Sequence, residues 1–148
     1  MTVVYSKGFY QTLEKSDGSV LAAADDLFTI TGAPVLVTEF VGIVTTDIGG
    51  VANCQIKLVV TEPAGTVNLS TNVAIDSDAA GTSYTFTTAD PGVLTPTTAG
   101  ALLAVPRIAW LCPIGTINAT CSAARTGNIK WYIGYYMLSQ FSKVVAAA

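Results

Sequence analysis

The side chains with chemical potential in this sequence are a few carboxylates, three cysteines and a scatter of lysines, tyrosines and serines. The candidate paired carboxylates are Asp25 and Asp26, Asp76, Asp78 and Asp90. Two acids facing one bond could hydrolyse a glycoside. However, neighbours on a strand point to opposite faces, and aspartates among Ser, Ala and Gly are already explained as turn and cap residues. The chain contains no histidine, which removes the commonest general base, the Ser-His-Asp arrangement and imidazole metal sites together. No residue is assigned a catalytic role, and an enzyme is not expected.

Asp76, Asp78 and Gly81 have the spacing that opens a calcium loop. The pattern then fails, because Ala80 and Thr87 occupy positions where oxygen ligands are needed, the second of them a bidentate glutamate. A plain Asx turn is the expectation, with no metal and no cofactor. The glycines occur as turn singles and the pair Gly49-Gly50, without the lysine-bearing loop that cradles phosphate. Cys54, Cys112 and Cys121 are odd in number and lack zinc-site spacing. They are expected as reduced, half-buried small hydrophobes, although a Cys112–Cys121 bridge across a hairpin is compatible with maturation outside the cell. Asn68 and Asn118 head glycosylation sequons, read as chance matches because no secretory signal is visible.

Composition narrows the class further. Of 148 residues, 51% are hydrophobic and only 11% charged, against about 25% charged in an average soluble domain. So few charges favour self-association or docking onto a larger assembly, since monomers rarely leave large apolar patches open. The seven basic residues, Lys7, Lys15, Lys57, Arg107, Arg125, Lys130 and Lys143, never cluster, and the net charge is −3. Nucleic-acid binding therefore lacks its electrostatic driving term. The longest apolar run, 101–117, contains Pro106, Arg107 and Pro113 and is short of the ~20 residues of a spanning helix. No membrane association is expected, and synthesis in a cytosol is the default.

The elements follow from alternation and punctuation. Residues 1–26 read as an N-terminal arm or irregular segment, and 27–148 as one β domain. Strands are predicted over 27–31, 35–46, 53–61, 66–70, 73–75 and 82–87, with 89–100 as a loop and 102–111 resuming an apolar run. In 53–61, Cys54, Ile56, Leu58 and Val60 share the inward face. Residues 116–137 read as a β-hairpin turning at Arg125 to Gly127. Many short strands between Gly/Pro turns indicate an antiparallel β-sandwich, jelly roll or small barrel. The last long strand places Ile129, Trp131, Ile133, Tyr135 and Met137 on one face, the core, and Lys130, Tyr132 and Tyr136 on the other. Those three form the candidate contact site, where a tyrosine pair beside a lysine could stack on a glycan or on a neighbouring protein.

Four stretches taken together, 27–37, 42–46, 115–121 and 127–139, resemble small Thr/Ala/Gly-rich virion proteins of tailed bacteriophages, of the capsid decoration or cement kind. The resemblance covers about residues 27–147, including the tail Val144 to Ala148. It departs at Tyr136-Met137, where such chains carry a polar residue or valine followed by proline. It implies β-sandwich or jelly-roll subunits, a homotrimer docked on the major capsid protein at the virion surface, and no cofactor. A lectin-like or receptor-binding virion appendage using Tyr132 and Tyr136 is the alternative.

Overall fold

The computed structural model describes residues 10–16, 20–21, 24–86, 94–98 and 108–148. These residues contain strands and no helix. In chain order the strands are β1 (Tyr10–Ser16), β2 (Val20–Leu21), β3 (Ala24–Thr31), β4 (Val35–Gly49), β5 (Asn53–Val60), β6 (Gly65–Asn68) and β7 (Val73–Ala74). They continue with β8 (Ser83–Phe86), β9 (Leu94–Thr97), β10 (Trp110–Cys112), β11 (Gly115–Cys121), β12 (Arg125–Met137) and β13 (Lys143–Ala146).

They form two antiparallel sheets in a β-sandwich-like arrangement. A seven-stranded sheet runs β1-β12-β4-β8-β9, with β10 also on β4 and β2 also on β12, and a six-stranded sheet runs β13-β3-β11-β5-β6, with β7 on β5. Their inner faces meet in one core that includes Phe28, Ile30, Ile56 and Ile117 from the six-stranded sheet and Val37, Phe40, Tyr84 and Trp131 from the other. Period-two alternation builds this core where expected: in β5, Cys54, Ile56, Leu58 and Val60 are buried, and of the predicted inward set in β12, Ile129, Trp131, Ile133 and Tyr135 are buried while Met137 at the strand end is half-buried. Phe40 is the hub, with edge-to-face contacts to Phe28 and Phe86 and tilted contacts to Trp110 and Trp131. Such pairs add about 0.5–1.5 kcal/mol each beyond area burial.

Four expectations are corrected. The segment 1–26 is not wholly an irregular arm. β1 pairs with β12 in unbroken register from Tyr10↔Tyr136 to Ser16↔Lys130, and β2 continues along the same edge. The supposed loop 89–100 contains β9, whose Pro96 sits opposite Tyr84. β9 is an edge strand, where a residue without an N–H costs no ladder bond.

Residues 116–137 are not a hairpin. Both edges of β11 are filled, by β3 and β5, so the chain crosses at 122–124 into the other sheet to form β12. This also corrects the disulfide: Cys121 lies opposite Cys54 and is bonded to it, while Cys112 is a buried free thiol in the opposite sheet. The expectation of three reduced cysteines fails because pairing of β5 with β11, strands far apart in sequence, brings Cys54 and Cys121 together. The predicted apolar strand 102–111 is described only from Ile108, its earlier part lying outside the described residues.

Candidate contact face

β12 positions all three predicted site residues, Lys130, Tyr132 and Tyr136, on the outer face of the seven-stranded sheet. Tyr132 is 38% and Tyr136 40% exposed. Lys130 is half-buried, and its Nζ stands 3.7 Å from Glu14 Oε1 on β1. A pair this exposed is worth at most about 1 kcal/mol. The three do not form a compact cluster. Gly134 separates the tyrosines, and the phenol of Tyr10 leans over that glycine, since a Cβ there would lie 2.5 Å from the Tyr10 hydroxyl. Tyr10 donates a 2.6 Å hydrogen bond to Glu39 Oε2, and its ring centroid is 5.0 Å from that of Tyr136.

Register extends this pair into a row. Tyr10 faces Tyr136 on β12, Tyr136 faces Leu36 on β4, and Leu36 faces Leu111 on β10. Four outward apolar side chains thus cross four strands at one end of the sheet, with Leu111 68% exposed. The adjoining loops add Leu138 at 48%, Phe141 at 68% and Ile114 at 37%.

Phe141 is held rather than loose. Ser142 Oγ donates to Pro34 O, Phe141 N donates to Ser139 Oγ, and Ser142 N donates to Ser139 O. The positive-φ Gly32 lets the β3–β4 turn lie against the Phe141 backbone, where a Cβ would stand 1.9 Å from the Phe141 carbonyl oxygen. Ile114 is fixed through its carbonyl, which accepts from Thr61 N at 3.0 Å. Beside Leu111, a cleft of about 300 Å³ opens between β6 and β10, lined by Leu58, Val67, Trp110 and Pro113 among others.

The opposite end of the sandwich is acidic. Asp47 Oδ1 accepts from Ala80 N, Asp76 Oδ1 accepts from Ala52 N, and Asp78 accepts from the buried Tyr84 hydroxyl. Burial, and secondarily the Asp78 carboxylate, pushes the Tyr84 phenol far above its ordinary value. Asp76 and Asp78 thus act as turn and cap groups around Ser77, which has a φ of 54°. Among the described residues no three His, Cys, Asp or Glu side chains converge as metal ligands. Asp25 and Asp26 lie on β3, and Asp90 lies outside the described residues.

Sequence reasoning located Tyr132 and Tyr136 by parity on one strand. It missed Tyr10, Leu36, Leu111, Leu138 and Phe141. Parity could have flagged Leu138 as a continuation of the Tyr136 face, whereas the row itself needs the register of four strands. No protein-family model, curated protein or solved structure matches this chain.

Proposed function

We propose that this chain is a non-enzymatic structural protein of a bacteriophage virion, a decoration or cement subunit that docks as a homotrimer on the major capsid protein. The observation that carries the docking is the pinned apolar surface made by the Tyr10–Tyr136–Leu36–Leu111 row together with Ile114, Leu138 and Phe141. Aromatic side chains bury 150–250 Å² each. With leucine and isoleucine taken as of similar size, the exposed fractions of Tyr10, Ile114, Leu111, Tyr136, Leu138 and Phe141 offer on the order of 600 Å² of accessible area. A standard interface takes about 800 Å² per partner, and the largest patch on an ordinary monomer is about 300–600 Å². Hydrogen bonds already order the backbone that carries Phe141 and Ile114, so docking at these positions pays little loop-ordering entropy. The assignment to a virion comes from the sequence resemblance.

In this reading the apolar end meets the capsid and neighbouring subunits, and the acidic end faces solvent. The subunit staples by burying surface across capsid proteins, without a reaction. The test is incorporation: purified protein is added to particles lacking it, and bound copies are counted after sedimentation. Binding by the wild type and its loss in Leu111→Glu/Phe141→Glu, with the fold retained, supports the reading. Undiminished binding by the double variant contradicts it. Light scattering on the free protein checks the trimer.

A second reading, a glycan-binding appendage, is favoured by one observation. Tyr132 stands outward with the Lys130–Glu14 ion pair beside it, an aromatic face next to hydrogen-bonding charges. Glycan-array binding that disappears in Tyr132→Ala would replace the capsid reading with this one.

A further inference from the structure

We propose that Cys54 and Cys121 form an oxidative clasp that closes after the chain has folded, and that the working form of this protein is the oxidised one, outside a reducing cytosol. The proposal does not depend on what the apolar face binds.

Strand pairing alone brings the two sulfurs together. β5 and β11 are in unbroken register from Val60↔Gly115 to Cys54↔Cys121, so the cysteines are the last rung of an established ladder. Backbone bonding continues just past them, where Ser122 N donates to Asn53 O and Asn53 N donates to Ser122 Oγ. The other edge of β5 is also occupied there, by β7 at Asn53↔Ala74 and Cys54↔Val73. A reduced chain that has paired these strands already holds both thiols at bonding range, so closure follows folding.

The third thiol is kept out of the exchange. Cys112 is 0% exposed in the opposite sheet, and burial pushes its thiol up to about 12, leaving almost no thiolate at neutral pH. Cys54 is 6% exposed and Cys121 half-buried, so an outside disulfide reaches Cys121 first. With a small-molecule disulfide such as oxidised glutathione as oxidant, the Cys121 thiolate attacks one sulfur and expels the first glutathione thiolate. The Cys54 thiolate then attacks Cys121 Sγ and expels the second. Two protons and two electrons leave the protein, and one glutathione disulfide becomes two thiols.

Placement gives the clasp its consequence. Cys121 directly precedes the 122–124 crossing into β12, so the bond pins the base of the strand that carries Tyr132 and Tyr136. It lies at the end of the sandwich opposite Leu111 and Phe141, where docking of the apolar end leaves it reachable by oxidant. Cytosolic thiol pools keep such pairs reduced, whereas extracellular conditions let them persist.

The test starts from protein folded in reductant, desalted and exposed to oxidised glutathione without denaturant. The expected result is loss of two hydrogens in the intact mass, a Cys54–Cys121 peptide as the bridged species, and alkylation of Cys112 only in denaturant. The melting temperature should rise on the order of 10 °C over the reduced form, because the cross-link closes a long loop. Cys54→Ser/Cys121→Ser should fold and melt with the reduced wild type. Protein alkylated directly from its native source should already be bridged. The proposal is overturned if oxidation requires denaturant, if Cys112 enters a bridge, if the reduced chain does not fold, or if native-source protein carries free Cys54 and Cys121 thiols.

Discussion

Trp131 lies against a strand neighbour that has no side chain. It pairs with Gly42 across β12 and β4, and a Cβ on Gly42 would fall 2.5 Å from Trp131 Cζ3. The indole is 3% exposed, stacks near Tyr84 and touches Phe40. Gly42 is therefore a packing residue, its missing side chain replaced by the indole.

This arrangement sets the energetics of the central strand pair. Trp131→Ala should cost about 3–5 kcal/mol through lost burial and a residual cavity. Gly42→Ala should cost about 1–3 kcal/mol by overpacking against the ring. Lys130→Ala, one residue away on the outer face, should stay within about 0.5 kcal/mol. Denaturant titration of the three variants checks the order. Equal losses for Trp131→Ala and Lys130→Ala would contradict the assignment of inner and outer faces.

Alkaline pH should destabilise the fold through groups buried in neutral form. Burial pushes the Cys112 thiol up to about 12 and raises the Tyr84 and Tyr135 phenols. Each folded-state value exceeds the unfolded one, so stability is complete below the unfolded pKa and falls as pH rises toward the folded value. The decline should begin near pH 8.5–9 with Cys112 and steepen above about 10 with Tyr84, each of these two contributing about 1.4 kcal/mol per pH unit when fully engaged, while Tyr135 adds in the same direction. Cys112→Ala should delay its onset toward pH 10 in chemical denaturation across pH 7–11. An unchanged onset would show that the Cys112 thiol does not titrate in this way.

Chelators should leave the melting temperature unchanged. Asp76 and Asp78 already accept hydrogen bonds from Ala52 N and the Tyr84 hydroxyl, so neither is held open for a cation. A drop of several degrees in EDTA, reversed by calcium, would contradict this.

Local patterning made the two-sheet class readable, and it did so at identifiable residues. Cys54, Ile56, Leu58 and Val60 alternate cleanly, and Ile129 to Tyr135 do the same, because one face of each strand meets the core. Pairing between distant strands was not readable. Nothing local to 116–137 reveals that β3 and β5 occupy both edges of β11, so a hairpin and reduced cysteines were expected where the chain crosses sheets and Cys54 bonds Cys121. β9 was obscured by Pro96, which an edge strand tolerates. The outer tyrosines of β12 followed from parity on one strand, but their neighbours in the contact face come from β1, β4 and β10 and appear only once the register Tyr10↔Tyr136↔Leu36↔Leu111 is known.

The proposed docking of the apolar end on a capsid is tested most directly by a cryo-EM map of the parent particle with this chain fitted into it. The account predicts density for the chain on the outer capsid surface, with Leu111, Phe141 and Tyr136 at the contact and Asp47, Asp76 and Asp78 toward solvent. A particle without the chain, or with its acidic end against the capsid and Leu111 and Phe141 in solvent, would contradict it.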